Sequence, residues 1–340
     1  TRKTYLYTSE KIDGPWKKQL IEGFYHDGSL LFDEDGRNYI VYGNDEIWIT
    51  ELNEDLTAPK KDGLHRLLVS DHKNPELGYE GSHIQKINGY YYIFLIHSLR
   101  DRWMRTEACF YSDSLEGEFT GGDVLCDDRG YCGQGVAQGG IVDTPDGKWY
   151  AMLFQDFGAV GRIPILLPVT WKDHFPFFGQ NGHVPEEIEV HSTRPGYIYQ
   201  PLVGSDDFCN GLLPRWQFNH DPDPRYYHLD ALQGTYTITT REVCTELTQA
   251  VNTLTQRMSY PSCAAEVTVD ASALKEGDVA GLCALQSCYA AVGITKHHGK
   301  YEVLMLDKKE DGILDMTEGT VVESHQMDFR LEADFCNMKD

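Results

Sequence analysis

Three segments of the chain superpose without a gap. His26-Asp27-Gly28-Ser29 runs to Asp35-Gly36 and Tyr39, Tyr79-Glu80-Gly81-Ser82 runs to Asn88-Gly89 and Tyr92, and Ala137-Gln138-Gly139-Gly140 runs to Asp146-Gly147 and Tyr150. Each reads as strand, tight turn, strand, and the steps between them are 53 and 58 residues. A period of that size is expected of a β-propeller blade, a four-stranded unit repeated around a central channel. Equivalent positions of successive blades converge on the channel, so Asp27, Glu80 and Gln138 are expected to meet in space. Two carboxylates and an amide at one channel mouth point to glycosidic-bond chemistry.

The surrounding sequence agrees with an all-β class. Tyr39-Ile40-Val41-Tyr42, Ile47-Trp48-Ile49, Tyr90 to Phe94, Ala108 to Tyr111 and Trp149 to Phe154 are short apolar or alternating runs with Gly and Asx between them, as hairpins require. No apolar pattern of period 3.6 persists long enough for a substantial helix. Ser9 with Gly14-Pro15-Trp16, and Ser112 with Gly117-Glu118-Phe119, echo one another as the ends of outer strands.

A length of 340 residues predicts two domains. The blade period fades between Arg194-Pro195-Gly196 and Ser205-Asp206-Asp207-Phe208, which places residues 1–198 in the propeller and 199–340 in a second domain. Runs such as Thr235 to Ile238, Ala264 to Val269 and Tyr289 to Ile294 predict a β-sandwich there.

A net charge of -23, with Lys and Arg scattered, argues against nucleic acid as a partner, and no apolar tract long enough to span a bilayer implies a membrane role. A neutral sugar is compatible with that charge. Nine cysteines fall at irregular spacing with no CxxC pair, so neither a zinc knuckle nor a redox dithiol is suggested. They read as buried small apolar residues in a reducing compartment, which makes the expected location cytoplasmic.

Taken singly, Asp27 or Glu80 would be a solvated surface acid. A shared register beside Gly and Ser turns both toward a common axis. At these residues the sequence resembles glycoside hydrolase family 43, the five-bladed propeller β-xylosidases and α-L-arabinofuranosidases. Asp27-Gly28-Ser29-Leu30-Leu31-Phe32-Asp33-Glu34-Asp35-Gly36-Arg37 is similar to the segment whose leading Asp orients the catalytic acid and tunes its pKa, a role the resemblance gives to Asp27. Glu80-Gly81-Ser82-His83 is similar to the Glu-Gly-Pro-His segment of the general acid, so that role falls to Glu80. Ser82 replaces the usual Pro, a change of backbone stiffness more than of chemistry.

Ala137-Gln138-Gly139-Gly140 matches a segment that in many members reads Gly-His-Gly. Gln138 replaces that His, so no metal or proton role carries over, and a hydrogen bond to a sugar hydroxyl is what remains for it. Gly161-Arg162-Ile163-Pro164 resembles the segment whose Arg reaches the channel. Arg162 is therefore expected buried beside the carboxylates, as a substrate-binding group or as a structural counter-ion. Asp206-Asp207-Phe208 and Gly277-Asp278-Val279-Ala280-Gly281 resemble the concanavalin-like sandwich of the β-xylosidase branch, in which the resemblance implies a structural calcium. No residues here are assigned to it, because turns such as Asp221-Pro222-Asp223 are ordinary turns in most proteins.

The resemblance implies inverting hydrolysis of terminal β-1,4-xylose or α-L-arabinofuranose on xylo- or arabino-substituted oligosaccharides, with no required cofactor. Inversion needs a general acid and a general base. The family's base is an Asp in the first blade, and no counterpart occurs in this chain. Residues up to Lys18 read as the end of one blade, followed by three complete blades, which is the expectation for an N-terminally truncated propeller. Such an open arc is expected to be poorly stable or to associate, a homo-oligomer being one form of association. Two other readings compete: a non-catalytic carbohydrate-binding propeller, and a WD-repeat scaffold, whose Trp-Asp pair does not occur here.

Overall fold

In a computed structural model, residues 2–219 and 221–336 are described. The chain divides into two units, Thr1–Phe157 with Gly161–Ser192, and Gly158–Val160 with Thr193–Asp340. The division at Ser192 lies a few residues before the boundary read from the sequence. Among the described residues every extended element is a strand, and only two three-residue 3-10 turns interrupt them.

The first unit begins with β1 (Thr4–Thr8) and β2 (Lys17–Ile21), a two-stranded antiparallel sheet. Three four-stranded meanders follow. The first is β3 (Ser29–Phe32), β4 (Asn38–Asn44), β5 (Glu46–Leu52) and β6 (His65–Ser70). The second is β7 (Glu80–Ile87), β8 (Tyr90–Ser98), β9 (Arg105–Ser112) and β10 (Thr120–Leu125). The third is β11 (Ala137–Asp143), β12 (Trp149–Asp156), β13 (Arg162–Lys172) and β14 (Phe175–Phe178). The Ser9 and Ser112 echo falls between β1 and β2 and between β9 and β10, so β1 and β2 correspond to the outer strand pair of a blade.

The strands of the first two meanders are apolar on both faces because those sheets are covered on both sides. In β8, Tyr91, Ile93 and Leu95 point into a layer shared with Leu31, Tyr39, Val41, Ile47 and Ile49 of the preceding sheet. Tyr92 and Phe94 point the other way, into a layer shared with Ile141, Ala151, Leu153, Leu167 and Phe178 of the following one. Successive side chains of a strand alternate sides, so two covered faces produce the unbroken Tyr90 to Ile96 run. Leu6, Ile21, Tyr25, Ile40 and Leu52 form the equivalent layer between the β1–β2 sheet and the first meander.

Polar stitches set the packing of neighbouring sheets. Tyr91 donates to buried Asp33 (2.6 Å), and Lys86 Nζ donates to its other oxygen (2.7 Å). Burial alone would raise the Asp33 pKa, but these bonds outweigh it and hold the carboxyl below 3.8. Gln85 Nε2 donates to Ile141 O (2.9 Å) and the Ile84 amide to Ser29 Oγ (3.2 Å). The innermost strands β3, β7 and β11 thereby lie side by side.

In the second unit, Val279–Leu285, Tyr289–His297 and Lys300–Lys308 form a meander extended by Leu314–Met316 and Thr320–Val322. Ser262–Asp270 pairs with Gln326–Asp334 in a second sheet. Between them lie Ala271, Ile294 and Phe329, with Val267, Val269, Leu282, Val303 and Met327 half-buried around them. The strands predicted from the sequence here all form.

The cysteine expectation needs correction. All nine are free thiols, but only Cys109 is buried, in the layer between β9 and the third meander. Cys132, Cys209, Cys244 and Cys336 are exposed. The Cys209 and Cys336 amides each bond to an Asp two residues before, so turn geometry, not apolar packing, places these two residues.

Candidate active site

Asp27 and Glu80 come together. Asp27 sits before β3 with φ 45°, a left-handed conformation that short polar side chains tolerate better than most. Ser82 Oγ lies 2.9 Å from the Asp27 carbonyl and 2.8 Å from the Val41 carbonyl. A proline at position 82 could not donate either bond, so the departure from the family pattern gives a tie between β7 and the Asp27 turn. Glu80 opens β7 at a bulge that runs to His83. Gly81 lies in this bulge at φ 64°.

The result is one polar cluster. His26 Nε2 lies 3.7 Å from Asp27 Oδ2 and 3.5 Å from Glu80 Oε2, and one ligand-type atom of each of the three residues lies within 4.8 Å of the others. Asn44, at the end of β4, donates from Nδ2 to Glu80 Oε2 at 2.6 Å. The Gly43 amide bonds to the His26 carbonyl (3.1 Å), which ties the His26 turn to the same end of β4. The Glu80 side chain is 22% exposed and that of Asp27 40%. Both carboxylates are reachable from solvent, as a binding site requires.

Gln138 joins them from the third meander. It has φ 66° and lies in a bulge of β11 between Ala137 and Gly140. Its side chain lies against Gly81, so closely that a Cβ there would stand 2.6 Å from Gln138 Nε2. Gly81 is therefore required twice, by its φ and by this contact. His83, two residues on, reaches solvent yet has enough protein around it for desolvation to hold its pKa below 6.5, against an upward pull from Asp27.

Arg162 is not buried beside the carboxylates as expected. At the start of β13 its side chain is 62% exposed, with Nε 3.1 Å from Asp156 Oδ1 and the guanidinium 4.3 Å above the Phe154 ring. The buried arginine is Arg105, whose side chain is 4% exposed and pairs with the other oxygen of Asp156. Desolvation lowers its pKa although Asp156 opposes this, and it senses the charge of Glu80. Position along the sheet accompanies the exchange: Arg105 opens β9, whose first five residues are all buried, whereas Arg162 opens β13 at an exposed position.

His26, Asn44, Arg105 and Asp156 escaped the sequence reading. His26 adjoins Asp27 in the repeated motif and was available as a signal. Asn44 and Arg105 carry none, because their proximity arises from pairing between distant strands.

Two carboxylates in the turns of the second unit, those of Asp206 and Asp223, are already engaged by the protein. The Asp223 carboxylate takes both Arg225 Nε (2.9 Å) and Nη2 (2.7 Å), and that of Asp206 takes the Phe208 and Leu213 amides and Trp216 Nε1. Donors that already fill a carboxylate compete with a cation for it.

Residues 1–176 match the model of "Glycosyl hydrolases family 43", and residues 205–339 that of the "Beta xylosidase C-terminal Concanavalin A-like domain". A Formosa agariphila β-xylosidase is 25% identical over 88% of this chain and 60% of its own. Xylosidase/arabinosidase 43B of Humicola insolens is 26% identical over 84% of this chain and 56% of its own. A solved Bacteroides eggerthii chain described as "Bifunctional GH43-CE" is 40% identical, with a TM-score of 0.84 over 98% of this chain and 43% of that one. The chain thus spans a little over half the length of the curated relatives it matches. With a family match over more than half of its residues and its two acids in one cluster, the chain belongs to glycosyl hydrolase family 43.

Proposed function

We propose that this chain carries the acid half of an inverting glycosidase site that removes terminal β-1,4-xylose or α-L-arabinofuranose from hemicellulose oligosaccharides. The observation that carries the reading is the meeting of Asp27 and Glu80 within one cluster although a whole sheet separates them in sequence. Asn44 and His26 both engage Oε2 of Glu80, so Oε1 is the oxygen left to carry the proton. Glu80 gives that proton to the departing glycosidic oxygen as the anomeric C–O bond breaks, and Asp27 orients it. Water adds to the anomeric carbon from the opposite face and loses its proton to a general base. That base is proposed to lie outside residues 1–340. Gln138, whose side chain lies against Gly81 next to Glu80, lines the sugar, and no cofactor enters the scheme.

The test is Glu80→Gln in the full-length protein with an aryl xyloside and an aryl arabinofuranoside whose leaving groups need protonation. An acid role predicts a kcat lower by about 10²- to 10⁴-fold with oligosaccharide binding kept. Unchanged turnover would overturn the acid role, whereas no turnover in wild type or variant, with oligosaccharide binding kept in both, would support a propeller that binds carbohydrate without cleaving it.

A further inference from the structure

Glu107 is the one fully buried carboxyl in the neighbourhood of this site, and the mechanism leaves it unused. In β9 it stands opposite Ile96, which in β8 stands opposite Glu80, so the three form one row across the second meander. Directly paired residues of an antiparallel sheet share a face. Glu107 is 0% exposed. Its Oε2 accepts the Gln138 amide at 2.6 Å, and Oε1 has no hydrogen-bond partner. Arg105, the cation whose charge Glu107 senses, is engaged with Asp156.

We infer that Glu107 is a positioning residue: its carboxyl holds the β11 bulge at Gln138, and through Gln138 it fixes the wall beside Glu80. This rests on the reading of Glu80 as the acid. The bulge removes Gln138 from the β11–β12 ladder, where pairing passes from Ala137–Phe154 to Gly140–Met152. A buried amide outside its ladder needs another acceptor, and Glu107 supplies it. That bond also holds Gln138 in a left-handed conformation that costs a non-glycine residue free energy. Because the Gln138 side chain touches Gly81, any relaxation of the bulge reaches Glu80 through the adjoining residue. Burial also pushes the Glu107 pKa upward, against pulls from the Gln138 backbone amide and Arg105. A hydrocarbon of equal size would pack there at lower cost but would leave the amide unbonded.

The experiment compares Glu107→Met, which removes the acceptor, with Glu107→Gln, which keeps it, and with Gln138→Gly, which keeps the amide and the φ but removes the side chain. Amide hydrogen exchange at residue 138 reports the bond in residues 1–340. The kcat/KM for an aryl glycoside in the full-length protein reports the wall. Glu107→Met is expected to speed exchange at Gln138 and to lower kcat/KM, each by about tenfold or more. Glu107→Gln is expected to restore both to within about threefold with an unchanged pH profile, and Glu107→Met is expected to add little in the Gln138→Gly background.

Unchanged exchange in Glu107→Met, equal damage from Glu107→Gln, or additive losses in the double variant would overturn the inference. If Glu107→Met does not fold, Glu107→Gln decides: slow exchange at 138 and an unaltered pH profile support the role, and a change in either sinks it. Absence of turnover in every form, wild type included, would count against the Glu80 reading, and the exchange measurement would still accept or reject the Glu107–Gln138 bond.

Discussion

The two units are both built from antiparallel strands, yet they bury their side chains differently. In the first, β8 is buried from Tyr91 to Ser98 without a break, because a sheet lies on each side of it. In the second, Ser262–Asp270 is half-buried only at Cys263, Val267 and Val269 and exposed elsewhere, with no fully buried residue. One strand carries apolar groups on two faces and the other on one, so burial depends on how many neighbours a sheet has. The site follows the same rule. Glu80 opens the inner strand of a sheet packed on both sides, where bulges and interstrand bonds hold it firmly.

Three substitutions would break or sharpen this contrast, each read by urea unfolding with residue-resolved hydrogen exchange so that the units report separately. Phe94→Ala empties a fully buried position between two meanders and is expected to cost the first unit about 3–5 kcal/mol. A loss below about 1 kcal/mol would mean that the layers between sheets are not the main support.

Asp33→Ala leaves the Tyr91 hydroxyl without its acceptor and is expected to cost about 1–3 kcal/mol at neutral pH. Because the folded Asp33 pKa lies below 3.8, its stabilisation is present above that value and is lost as pH falls through the folded one. The gap between wild type and variant should therefore narrow only in acid. A gap that stays constant down to the acid limb would show that the charge on Asp33 contributes nothing.

Val269→Ala, at a half-buried position of the second unit, is expected to cost about 1 kcal/mol. A cost matching that of Phe94→Ala would erase the difference between the units.

Much of this was legible in the residues. Gly and Asx turns between apolar runs marked the hairpins, and the in-register repeat brought Asp27, Glu80 and Gln138 to one place. Arg162 was misplaced because motif matching gives a strand position but not the solvent exposure of its end. Asn44, Arg105 and Glu107 were invisible for a related reason. Each owes its role to a partner at least 31 positions away, and no local pattern encodes such a pairing.

The sequence by itself determined the all-β class, the blade period, and the convergence of two acids on one axis, since strand alternation and turn chemistry are local and repeat in register. Tertiary structure alone decided which oxygen of Glu80 is engaged, which arginine is buried, and that a buried carboxyl props the bulge at Gln138. Those outcomes depend on desolvation and on distances across sheets, which arise only once separate strands have packed together.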